Sequence, residues 1–96
     1  PMAIAYLITY EASDPDTIVQ QLKAYKEREL DRSPPKGYLG ARILEGTDGK
    51  TVTFLTEWES EEQLEDTRDS APWEACMDLN ETFSDSNKAL TFKMIS

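Results

Sequence analysis

Residues 37–63 read GYLGARILEGTDGKTVTFLTEWESEEQ, and this stretch decides the fold. Two strands lie in it, 38–46 and 50–58. Asp48-Gly49 separates them and is a strong hairpin signal, because the glycine supplies a positive φ at no steric cost. Directly after the second strand, Ser60 and Gln63 stand at capping-box spacing and open a helix. Two paired strands therefore feed straight into a helix.

Working outward, residues 4–11 alternate as a strand. Ile4, Tyr6, Ile8 and Tyr10 fall on one side and Ala5, Leu7 and Thr9 on the other, with no charge before Glu11. Asp14 then offers an N-cap, with Pro15 suited to the first helical position. Ile18, Leu22 and Tyr25 repeat at helical spacing beside Val19, and Lys23, Lys26, Glu27 and Arg28 fill the opposite side. The helix must stop before Ser33-Pro34-Pro35-Lys36-Gly37. On the other side of the hairpin, the helix opened by Ser60 carries little apolar surface beyond Leu64. Ser70-Ala71-Pro72 breaks and restarts it, and Trp73, Cys76, Met77 and Phe83 form an apolar stripe with Leu79 at its edge. Residues 89–95 alternate again as a last strand.

The resulting order, β-α-β-β-α-β, is that of a ferredoxin-like α+β domain: an antiparallel sheet with helices on one face. Residues 1–96 read as one such domain, without repeats or linkers. The face without helices must meet water or another subunit. Since the first strand is apolar on both sides, face-to-face sheet pairing in a homodimer is expected.

Composition narrows the function. Ten basic and 19 acidic residues give a net charge of −9. The excess is local: 57–85 holds eleven acids and a single base, Arg68, whereas the first 50 residues hold seven bases and eight acids. Such a surface repels phosphate backbones and anionic lipids, so neither nucleic acid nor a membrane is expected as a partner. No apolar run is long enough to span a bilayer. The lone Cys76 leaves no internal disulfide and fits a reducing, cytoplasmic setting. Histidine is absent, which removes the commonest general base and metal ligand and the His-activated nucleophiles. Glu61 with Glu65, and Glu62 with Asp66, stand one turn apart, but a hard cation needs more ligands than one exposed helix supplies, so no metal is expected. Pro1 precedes Met2; a free N-terminal proline is the base of tautomerases, but Met2 reads as the natural start and Pro1 as a remnant of tag removal.

Several residues can carry chemistry, each beside a plainer reading. Trp58, at the strand-to-helix junction, either points its indole N–H at a ligand or closes the core. Trp73, Cys76, Met77 and Phe83 line either a pocket for a flat apolar molecule or ordinary core. Cys76 lacks any histidine to activate it and reads as an inert buried thiol. Tyr6, Tyr10, Tyr25 and Tyr38 supply phenols, one of which can donate to a substrate carbonyl or phenolate. Arg42 either holds an anionic substrate or pairs with a carboxylate.

At Gly37-Tyr38-Leu39-Gly40-Ala41-Arg42, Asp48-Gly49 and Thr56-Glu57-Trp58-Glu59-Ser60-Glu61-Glu62 the sequence resembles the antibiotic biosynthesis monooxygenase (ABM) superfamily. That family shows a glycine-aromatic strand start, an Asp-Gly hairpin, a Trp-x-Ser junction and a broken helix, in this order. The resemblance implies a ferredoxin-like fold and a dimeric α/β barrel. Members include cofactor-free quinone-forming monooxygenases of polyketide tailoring, haem-degrading enzymes, and others that decarboxylate or cyclise. Where the haem-degrading branch has asparagine, tryptophan and histidine, this chain has Leu7, Thr67 and Met77, so no haem partner is expected. Where the quinone-forming branch has an asparagine and a tyrosine around the junction tryptophan, this chain has Phe54 and Leu64; Trp58 alone is kept.

The expectation is therefore a cofactor-independent tailoring enzyme, a monooxygenase or cyclase, acting on an aromatic or polyketide-like small molecule. Trp58 and Tyr25 are its catalytic candidates. Leu7, Arg42, Phe54, Leu64 and Thr67 are candidate substrate contacts, together with the Trp73–Phe83 stripe. The alternative is a non-catalytic dimeric module that binds a small hydrophobic ligand or a partner protein. A ligand-sized void with a converging polar group favours the first, and a filled void the second.

Overall fold

In a computed structural model, which describes residues 2–83 and 86–96, the expected element order is found; Pro1, and with it the reading of Pro1, lies outside the described residues. β1 spans Ile4–Glu11, α1 Pro15–Tyr25, β2 Tyr38–Glu45, β3 Thr51–Trp58, α2 Glu61–Asp66, α3 Ala71–Thr82 and β4 Asn87–Lys93. The sheet is antiparallel in the order β2-β3-β1-β4, as a ferredoxin-like fold requires.

The caps are those the sequence supplies. Asp14 accepts from the Thr17 N–H, with Pro15 at the first helical position. Ser60 accepts from the Gln63 N–H and so opens α2. The reciprocal half of that capping box is not made. Gly37, at φ +87°, lets the backbone pass so close to Gln63 that a Cβ there would collide with it. The Gln63 Oε1 is left buried, with no hydrogen-bond partner among the described residues. Ser70 caps α3 through the Trp73 N–H, so Ser70-Ala71-Pro72 does restart the broken helix, after a 3₁₀ turn at Thr67–Asp69.

Register assigns each strand residue to a face. Ile8 pairs with Phe54 and Phe54 with Ile43, and all three lie under the helices. There Ile8, Tyr10, Val52 and Phe54 pack on Ile18, Leu22, Tyr25, Leu30 and Cys76. Ile4, Trp58 and Leu64 form a second small cluster at the end of the sheet where β3 turns into α2. The next residues along, Leu7 opposite Leu55 and Leu90, face the other way. That outer face has no helix over it, and Leu44, Leu90 and Phe92 remain 48, 52 and 45% exposed.

Among the described residues, no helix is long and apolar enough to cross a membrane.

Candidate functional site

A slot opens between the inner face of the sheet and the helices. Tyr6, Ile8, Phe54, Thr56 and Trp58 supply its sheet side. Tyr25 and Leu30 line it from the first helical run, and Thr67, Pro72, Trp73, Cys76 and Met77 from the broken helix. Its walls are almost wholly carbon, and its volume is about 30 Å³. That admits roughly two water molecules, whereas sites for drug-sized ligands measure roughly 300 Å³ or more. A ring system enters only if a wall moves.

Aromatic side chains build most of the lining. Tyr6 stacks on Trp73 with centroids 5.5 Å apart, and Tyr25 meets Phe54 edge-on at 5.9 Å. The Arg68 guanidinium lies over the Trp73 ring, 4.6 Å from its centroid, and is paired with Glu65. Trp73 thus contacts both a phenol and a cation, and stands on the broken helix rather than on the sheet.

The polar atoms are mostly committed. Trp58 is 3% exposed, and its indole N–H donates to Thr56 Oγ1 at 2.8 Å. The Thr56 hydroxyl donates in turn to the Tyr6 carbonyl at 3.4 Å. The Tyr25 hydroxyl donates to the Pro72 carbonyl at 2.8 Å, and Thr67 Oγ1 to the Gln63 carbonyl at 2.9 Å. The Tyr6 hydroxyl makes no hydrogen bond among the described residues. Burial raises the Tyr6 phenol above its ordinary value, nearby Cys76 adds to this, and Arg68 opposes it. Burial likewise lifts Tyr25, and it pushes the Cys76 thiol up to about 11. At neutral pH the slot therefore holds donors and apolar walls, and none of its lining residues is a base. It can exclude water, stack on a flat ring and donate a hydrogen bond.

The sequence-derived candidates divide. Trp58, Tyr25, Phe54, Thr67, Trp73, Cys76 and Met77 are brought together in the slot. Leu7 and Arg42 are not: they sit on the outer face, opposite or beside Leu55, because strand side chains alternate and both have the wrong parity. Leu64 lies beyond Trp58 in the end cluster, and Phe83 packs edge-on against Tyr10 at 5.2 Å, a full turn past the slot. Neither the Trp58 N–H nor the Tyr25 O–H is turned toward a ligand. Tyr6, Ile8, Leu30, Thr56 and Pro72 line the slot without having been singled out as contacts. Parity with Phe54 and Trp58 identifies Ile8, Tyr6 and Thr56, since these are cross-strand neighbours on one face. Among the described residues no three acidic or thiol side chains come together as a metal site.

This fold is that of the antibiotic biosynthesis monooxygenases, with the slot on the helix-covered face of the sheet. Three solved structures show the likeness. A monooxygenase from the gene ActVA-Orf6 of Streptomyces coelicolor, in complex with nanaomycin D, is 21% identical over 99% of this chain and 89% of its own, with a TM-score of 0.76. SnoaB, a cofactor-independent oxygenase from Streptomyces nogalater, is 7% identical over 100% and 96%, with a TM-score of 0.70. A candidate antibiotic biosynthesis monooxygenase from Nitrosomonas europaea is 10% identical over 98% and 90%, with a TM-score of 0.74. At these identities the likeness establishes the fold. No family model matches the sequence, and no curated protein matches it.

Proposed function

We propose that the protein is a cofactor-independent tailoring enzyme of the oxygenase type that takes a small, electron-rich phenol into the slot. The observation that carries this reading is the Tyr6 hydroxyl, a neutral donor with no hydrogen-bond partner among the described residues, on a wall of aromatic carbon. The substrate acts as its own reductant. A dihydroxynaphthalene loses a proton to solvent at the slot mouth, since no lining residue takes it, and its anion passes an electron to O2. The radical pair combines at a ring carbon, the C–H becomes C=O, and the second oxygen atom leaves as water. The protein contributes desolvation, orientation against the aromatic lining, and a hydrogen bond from Tyr6 to the oxyanion. Two chains pair through the outer sheet faces, as the apolar Leu7, Leu44, Leu55, Leu90 and Phe92 suggest. Neither haem nor a metal takes part.

Conversion of 1,5-dihydroxynaphthalene to 5-hydroxy-1,4-naphthoquinone, followed with an oxygen electrode, tests this. Uptake should exceed that in buffer, and Tyr6→Phe should lower it at least tenfold while the melting temperature holds. A second reading, a non-catalytic binder, is favoured by the 30 Å³ volume and by the committed Trp58 and Tyr25 donors. Quenching of tryptophan fluorescence by the diol without oxygen uptake would select it.

A further inference from the structure

Tyr25 and Leu30 both line the slot, although they are five residues apart on one helical run. In an α-helix of 3.6 residues per turn they would point roughly 140° apart. They share a wall because the chain leaves α1 through a π-helical turn, Lys26–Asp31. The Arg32 N–H donates to the Glu27 carbonyl at 3.1 Å, a bond of π spacing, which brings the fifth residue nearly over the first. The side chains follow the same spacing. Lys26 pairs with Asp31 at 2.6 Å and Arg32 with Glu27 at 3.2 Å, each five residues apart. Asp31 also accepts from the Tyr38 hydroxyl at 3.2 Å, which ties the turn to the start of β2.

Such π turns are rare and are found frequently at functional sites. Here the turn buries one new side chain, Leu30, at 2% exposure; Lys26, Arg28 and Glu29 stay outside it. The other helical lining of the slot is different. It stands on the broken helix, where the 3₁₀ turn and Pro72 interrupt the hydrogen-bond ladder. The two sides meet where the Tyr25 hydroxyl donates to the Pro72 carbonyl at 2.8 Å, and Leu30 sits on the π turn just beyond that contact.

We propose that Leu30 is the specificity-determining residue of the slot. Held in place by the π turn, it is the fixed stop that limits the ring system admitted. This inference rests on the reading of the slot as an aromatic-ligand site. It assigns the ligand class as fused aromatic rings whose length Leu30 limits, so that the shorter ring system is preferred.

The test uses 1-naphthol and 1-hydroxyanthracene as probes, titrated under nitrogen against tryptophan fluorescence of the intact chain. The wild type should bind the two-ring probe at least tenfold more tightly. Leu30→Ala should erase or invert that preference, and Leu30→Phe should weaken both probes. A thermal melt accompanies each variant, and Leu30→Val replaces Leu30→Ala if the latter does not fold. A preference that is unchanged in folded Leu30 variants would overturn the inference while leaving the aromatic slot standing. Failure of both probes to bind the wild type would remove the aromatic slot itself, and Leu30's role with it.

Discussion

β1 carries two surfaces within eight residues. Ile4, Tyr6, Ile8 and Tyr10 lie under the helices, where they form core and slot; Ala5, Leu7 and Thr9 lie on a face that no helix covers. The residue types differ little between the two. What differs is parity along the strand, and parity decides whether an apolar side chain serves the core, the site or an association surface. Leu7 and Ile8 are adjacent, yet only Ile8 reaches the slot.

The sharpest way to break this contrast is to truncate adjacent residues on β3. Phe54, 2% exposed on the inner face, should cost about 3–5 kcal/mol as Phe54→Ala. Leu55→Ala, on the outer face, should cost well under half of that in a dilute single chain, by urea titration. Equal losses would mean that the outer face is as closely packed as the inner.

Charge on the outer face tests what covers it. Leu90→Glu should leave the fold intact and shift the sedimenting mass from about twice the 10.9 kDa chain toward a single chain. A wild type that already sediments as a clean monomer would show that this face stays open to water.

Trp58→Phe probes a residue whose N–H is spent inside the protein. It removes the bond to Thr56 and some packed volume, so stability should fall by roughly 1–3 kcal/mol. Probe affinity and oxygen uptake should change little. An intact melt with a large loss of turnover would instead return Trp58 to the reaction.

The smallest effect is on pH. Burial holds the Cys76 thiol at about 11, against an ordinary 9.0, and raises Tyr6 and Tyr25. The folded chain then keeps protons that the unfolded chain releases. Stability is fully present below the ordinary thiol value of 9.0 and declines as pH rises toward about 11. Melts from neutral pH upward should show that decline. Stability that rises over the same range would contradict the burial of these groups.

The fold was legible because its signals are local: the Asp48-Gly49 turn, the Asp14, Ser60 and Ser70 caps, and the period-2 runs of the strands. The site was half legible. Phe54, Trp73, Cys76 and Met77 are apolar residues on elements that must face the core, and they do reach the slot. Leu7 and Arg42 lie on the other face, and a strand's period fixes which residues share a face but not which face meets the helices. Leu30 was hidden for another reason. A helix of ordinary pitch would turn it away from Tyr25, and a run of charges, KERELD, gives no sign of a π turn. The engagement of the Trp58 N–H by Thr56 rests on a contact between alternate residues of β3, which residue type alone does not reveal.

The most direct measurement of the two-face account is a methyl-labelled NMR titration with 1-naphthol under nitrogen. The account predicts concentration-dependent shifts at Ile8, Leu30 and Met77, with Leu7, Leu55 and Leu90 unmoved. Shifts confined to Leu7, Leu55 and Leu90, or none at any of the six, would contradict a ligand site on the inner face.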